Sequence, residues 1–147
     1  MSTSFETSEE RAYAQLLFDR TYTAFVYERS APAALYTPSG VLSACLYRGP
    51  NGSRCALGLH IPDVLYKPEM ECNDSNSLLE SFSELAFLKP YKQLLRELQC
   101  VHDTSAVESS HYLGARYAEN DFTDRVACRL NSLAKLFGFT LPPHPEG

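Results

Sequence analysis

The sequence predicts a predominantly helical α+β fold, with four to five helices around a short β-hairpin at residues 42-58. Three observations lead there. Apolar residues recur at helical spacing in four separate stretches between about residues 8 and 137. Capping residues and acidic first turns precede several of those stretches, and a glycine follows the last. Between them, two short apolar segments flank Gly49-Pro50-Asn51-Gly52, where proline presets its own dihedral and Asn-Gly tolerates positive φ.

The elements follow in order. Thr7 or Ser8 can cap a first helix whose first turn holds Glu9 and Glu10, the charge that suits the positive helix end. Tyr13, Leu16, Leu17, Ala24 and Tyr27 then share one face. "SAPAALYTPSG" carries two prolines and a glycine and reads as a connection with at most one turn of helix. From Val41 to Arg48 a strand would put Leu42, Ala44 and Leu46 on its apolar face. Residues 53–60 are open to two courses, the second arm of a hairpin or a short helix capped by Ser53.

Pro62 to Tyr66 reads as one helical turn, and "ECNDSNS" as a polar loop. Ser75 or Ser77 caps a helix to about Leu88. Pro90 opens the next, with Tyr91, Leu94, Leu95, Leu98, Val101 and His102 on an inward stripe. His102-Asp103 closes that helix, and residues 104–121, mostly polar, receive no assignment. A last helix, capped by Asp121 or Thr123, carries Val126, Leu130, Leu133 and Phe137 in register and stops at Gly138. The expected organisation is a single domain over 1-147 with disordered tails at 1-7 and 141-147.

Composition narrows the function classes. A chain of 147 residues, 44% hydrophobic, is long enough to bury roughly two-thirds of its unfolded surface. A net charge of -5 with scattered basic residues disfavours nucleic acid as a partner. No apolar run approaches the roughly eighteen residues of a membrane span, and the polar opening "MSTSFETSEE" is unlike an export signal. The expected location is therefore cytoplasmic, with the five cysteines as free thiols. Structural zinc sites place cysteines two to four residues apart, whereas here the nearest pair is Cys45 and Cys55, so neither a metal nor a cofactor is expected.

One constellation suggests a ligand site. Gln99, His102 and Asp103 are helical neighbours. Tyr47 and Arg48 end the first cysteine segment, and Tyr66 and Glu71 lie just beyond the turn. If the 66–71 loop folds over the 90–103 helix, these residues offer a guanidinium, aromatic faces, an amide and carboxylates. That mixture suits a small polar molecule with a planar ring and an anionic group. Alternating strand geometry opposes a ligand shared by Tyr47 and Arg48 unless the strand ends or twists there. Arg48 in a structural ion pair with Asp103 or Glu71 is the plainer alternative.

The pattern C-x-Y-R-G-P-x-G-x-x-C-A-x-G-x-x-I-P-D-x-x-Y-x-P-x-M-E over 45–71, followed by L-Q-x-x-H-D over 98–103, resembles a family of small, largely uncharacterised proteins of bacteriophages, prophages and their bacterial hosts. Leu59-His60 and Cys72 depart from its pattern. The resemblance implies a phage-associated accessory protein in the host cytoplasm. By analogy, such a protein counters host immunity by sequestering a nucleotide-derived small molecule in an often homo-oligomeric pocket. Arg48 would hold a phosphate, Tyr47 or Tyr66 a base, and Gln99, His102 and Asp103 polar edges. Two alternatives remain open: a hydrolase of a nucleotide-like substrate with His102 as acid or base and Asp103 orienting it, and a protein-interaction module anchored by Tyr47, Arg48 and Tyr66.

Overall fold

The computed structural model describes residues 4–38, 42–110 and 115–145, with side chains described over 4–38, 42–108 and 122–145. Helix α1 spans Ser8–Tyr22 and relaxes into a π-helical turn, Thr23–Tyr27. Strands β1, Ala34–Tyr36, and β2, Leu42–Cys45, form a two-stranded antiparallel sheet. After several 3₁₀ turns come α2, Ser75–Ser81, and α3, Lys92–Ser110, then α4, Ala115–Phe137. The fold is α+β and predominantly helical. Among the described residues no helix is long and apolar enough to cross a membrane.

Helix α3 is the centre, touching α1, α2, α4 and β2. Its inward stripe runs through Leu94, Leu95, Leu98, Val101, His102, Ser105 and Ala106, all buried. The i, i+3, i+4 spacing of these residues is what makes the helix amphipathic. Phe122, Val126, Leu130, Leu133 and Phe137 of α4 pack into the same cluster. Thr7 caps α1 by accepting the Glu10 N–H at 3.0 Å. From α1, Arg11 reaches across to donate to the Phe137 and Gly138 carbonyls at 2.8 and 2.6 Å. It thereby satisfies two carbonyls that a helix end leaves open. Gly138, at φ 74°, is the left-handed residue that lets α4 stop there.

Several expectations need correction. The hairpin lies at 34–45, not at 42-58: β2 pairs with β1, Ala34 opposite Cys45 and Leu35 opposite Ala44. Pro32 and Pro38 flank β1 without interrupting it, the position a strand tolerates. On the other side of the Gly49–Gly52 turn only one bridge forms, Arg48 to Arg54. Cys55, Ala56, Leu57 and Gly58 are then all buried, a run that a two-faced strand cannot provide, and the chain curls into a 3₁₀ turn, Gly58–His60.

Gly58 permits that curl, because a Cβ there would lie 2.1 Å from the Tyr47 carbonyl oxygen. Leu17 and Ala24 face inward as expected, but Leu16 is exposed, and Ala14, Phe18 and Thr21 join the inner face. Asp74, not Ser75 or Ser77, caps α2, accepting the Ser77 N–H at 2.8 Å. That helix stops at Phe82, and 3₁₀ turns lead through Pro90 into α3. Proline has no N–H for an α-helical bond. Helix α3 does not end at Asp103 but continues to Ser110, and α4 begins before both expected caps, Asp121 and Thr123. Of the expected tails, Phe5 lies against Tyr91 and Phe137, and the Pro142 carbonyl accepts the Tyr27 hydroxyl.

Candidate functional site

The helical trio Gln99, His102 and Asp103 forms one polar hub. His102 is buried, with Phe25 and Phe122 edge-on to its ring. The Ala33 N–H donates to its Nε2 at 3.1 Å, so Nε2 must present a lone pair. The ring proton therefore sits on Nδ1 and is donated to Asp103 Oδ1 at 2.8 Å. Gln99 Nε2 donates to the same carboxylate at 2.9 Å, while its Oε1 accepts the Leu57 N–H. The Cys45 thiol is a third donor to Asp103, and burial with that carboxylate beside it pushes the thiol up to about 12. One stretch of α3 thus holds the chain at residues 33, 45 and 57 through a buried imidazole and partly buried polar groups, and the buried member would be costly to leave unpaired.

Glu71 organises a second cluster. Its carboxylate accepts the Tyr47 and Arg48 N–H groups at 2.9 and 3.0 Å and the Tyr66 hydroxyl at 2.7 Å. Burial, followed by this carboxylate, pushes the Tyr66 phenol up to about 12. Tyr47 is buried and donates its hydroxyl to the Asn73 carbonyl. Arg48 points the other way. Its guanidinium donates to Asp63 at 2.7 Å and to the Ile61 carbonyl at 2.6 Å, and lies 4.8 Å from the centre of the Tyr66 ring. The plainer alternative for Arg48 holds in kind with a different partner, since Asp63 takes the charge. Arg48, first by hydrogen bond, and Arg54 hold the Asp63 carboxyl below its usual range.

The seven expected site residues therefore divide. Tyr47, Glu71, Gln99 and Asp103 line one cleft of about 370 Å³ between the 71–75 loop and α3. Arg48 and Tyr66 belong to the ion-pair cluster with Asp63, and His102 sits beneath the cleft floor. Strand β2 ends at Cys45, and the divergence of Tyr47 and Arg48 is what alternating side-chain geometry would give. The cleft is also lined by Cys45, Cys72, Cys100, Asn73 and Arg96. It adjoins a second hollow of about 590 Å³, with which it shares Asp74, Ser75 and Arg96, and which adds Asn76, Lys92 and Gln93.

Lys92 and Arg96 were missed by sequence reasoning, and the signal was present. Lys92, Arg96, Gln99 and Asp103 follow a 4-3-4 spacing, one face of α3 about 16 Å long at 1.5 Å per residue. Among the described residues neither cation lies within ion-pair distance of a carboxylate, although Asp74, which lines both hollows, is held below its usual range first by the Ser77 N–H and in smaller part by Arg96. The face runs from two cations to an amide and a carboxylate.

Acid–base chemistry is poorly provided for here. Both His102 nitrogens are engaged, and burial above all pushes the Cys55 thiol, like that of Cys45, up to about 12. The imidazole also suits a metal badly, since a metal at Nδ1 would need a proton on Nε2, where the Ala33 N–H already points. No protein-family model, curated protein or solved structure matches the chain.

Proposed function

We propose that this chain is a cytoplasmic binding protein for a small phosphate-bearing, nucleotide-derived molecule, held along the outer face of α3 without turnover. The observation that carries the reading is the pair of adjoining hollows. One presents Lys92 and Arg96, which lie within ion-pair distance of no carboxylate among the described residues, and the other offers Asp103 and Asn73 as hydrogen-bonding edges, with Gln99 committed to Leu57 and Asp103. Cations one helical turn apart suit a phosphate, and a carboxylate and an amide suit the polar edges of a base. Arg48 and Tyr66, committed to Asp63 and Glu71, leave the phosphate to Arg96 and Lys92. The resemblance of residues 45–71 and 98–103 to small phage proteins supplies the context, a phage-type accessory factor that withdraws a host signalling nucleotide by sequestration.

Binding is preferred to hydrolysis because His102, the expected acid or base, is buried with both nitrogens engaged. Native mass spectrometry of protein purified from infected cells tests the reading and shows whether copies associate. The expected result is a retained small molecule that heat denaturation releases intact and that an Arg96→Ala variant fails to retain. Release of a hydrolysed product would establish the enzymatic reading, and protein that carries no small molecule and takes up no added nucleotide would overturn the proposal.

A further inference from the structure

Three of the five cysteines, Cys45, Cys72 and Cys100, line the same cleft as Asp103. Cys45 stands at the end of β2, and its sulfur, a His102 ring nitrogen and an Asp103 carboxylate oxygen all lie within 4.8 Å of one another, although the His102 nitrogens are already engaged. Cys100 and Asp103 are three residues apart on α3, a spacing that brings Cβ atoms to roughly 5–6 Å on one helix face. Cys100 is exposed and borders the cleft, with its sulfur 3.7 Å from the Thr104 hydroxyl, and a turn of its side chain away from Thr104 is what would bring that sulfur to the other two ligands. Asp103 is held by Gln99 and His102, both donating to Oδ1 at 2.9 and 2.8 Å. Ligating carboxylates are commonly oriented by such outer hydrogen bonds.

We propose that the inner end of the cleft is a site for a thiophilic divalent metal ion of the zinc class, with Cys45, Cys100 and Asp103 as protein ligands. Two sulfurs and one carboxylate oxygen, with a fourth position facing the open cleft, form a donor set of the kind Zn²⁺ accepts. His102 and Gln99 act as outer partners that orient the carboxylate, which fits the tautomer fixed by the Ala33 N–H. On binding, the two thiols each give a proton to solvent, two metal–sulfur bonds and one metal–oxygen bond form, and bound water leaves the ion. No oxidation state changes. The exposed Cys72 thiol stands on the facing loop as a candidate for the fourth position, in competition with water. The site does not depend on the anion hollow at Lys92 and Arg96.

Cobalt(II) titration of the reduced full chain, followed by absorption spectroscopy, tests this. The expected result is one Co²⁺ per chain, with thiolate-to-cobalt charge-transfer bands and the intense d–d bands of a tetrahedral site. Cys100→Ser and Cys45→Ser should each weaken binding by at least about tenfold, the lower end of what even an outer partner contributes. Cys128→Ser should leave the titration unchanged, because Cys128 lies outside the cleft, in the groove between α3 and α4 that Cys100 also borders. If Cys45→Ser folds poorly, Cys100→Ser, at an exposed position, carries the test alone. Absence of charge-transfer bands at stoichiometric Co²⁺ would overturn the site. So would loss of the bands in Cys128→Ser, which would mark an adventitious Cys100–Cys128 pair.

Discussion

Replacing Glu71 by alanine removes the acceptor that joins the end of the hairpin region to the 66–71 loop. Three donors lose their partner: the Tyr47 N–H, the Arg48 N–H and the Tyr66 hydroxyl. Hydrogen bonds to a charged acceptor contribute about 1.5–3 kcal/mol each when buried, and Glu71 is half-buried, so about 3 kcal/mol in total is a reasonable sum. For a chain of this size that corresponds to a fall in Tm of about 10 °C. Glu71→Gln grades the effect. Its carbonyl oxygen can take the Oε2 position, keeping Arg48 and Tyr66, while its NH₂ faces the Tyr47 N–H, giving a loss of about 2 kcal/mol. Differential scanning calorimetry reads both variants, and hydrogen exchange should accelerate locally at the Tyr47 and Arg48 amides. A Tm for Glu71→Ala within about 2 °C of the parent would refute the hub.

Three further outcomes are expected. His60 is buried, and its Nε2–H donates to Thr21, whose own hydroxyl proton goes to the Leu17 carbonyl; among the described residues Nδ1 has no hydrogen-bond partner. Burial first, and Arg20 second, lower its pKa from 6.5 to about 4, so the unfolded chain binds the extra proton between those values. Stability should be full above pH 6.5 and fall by about 3 kcal/mol as pH drops to 4; an unchanged acid limb in His60→Gln would contradict this. Gly58→Ala drives a Cβ to 2.1 Å from the Tyr47 carbonyl oxygen and should cost about 3 kcal/mol or prevent folding, whereas near-parental denaturation by urea would show that the contact is not as close as described. Cys72, Cys100 and Cys128 are exposed and should react with a thiol reagent in the native state, while Cys45 and Cys55, half-buried and buried with raised pKa, react on unfolding. Rapid native labelling of Cys55 would contradict its placement.

What the sequence could reveal followed the physics of periodicity. The inward stripe from Tyr91 to His102 and the α4 register of Val126, Leu130, Leu133 and Phe137 were legible because they repeat over three or more turns. Strand β1 was not legible, since three residues between two prolines carry no readable alternation and their pairing with β2 is fixed by contacts distant in sequence. The curl at Cys55–His60 depends on the close approach of Gly58 to Tyr47, a tertiary event that local propensity does not encode. The course of α3 beyond Asp103 was hidden by its polar residues. There Glu108 takes Arg125 and Arg129 of α4 at 3.0 and 2.6 Å, so the two helices are joined partly by ion pairs, not by apolar residues alone.

Legibility of the site was divided for the same reason. Gln99 and Asp103 were found because helix spacing alone makes them neighbours, and Glu71 was joined to them by supposing that its loop folds over the helix. Arg48 and Tyr47 are adjacent in sequence, and they turn to opposite sides as alternation along an extended chain requires, even though β2 ends at Cys45. Lys92 and Arg96 lie on the outward 4-3-4 face, which a search for buried residues does not inspect.

The most direct test of ligand binding along that face is an NMR titration of the isotopically labelled chain with a panel of nucleotides. Amide and side-chain shifts should move at Lys92, Arg96, Gln99, Asp103 and residues 71–75, and the response should be lost in Lys92→Ala/Arg96→Ala. Shifts centred on Arg48, Asp63 and Tyr66, or no saturable shift with any nucleotide, would contradict it.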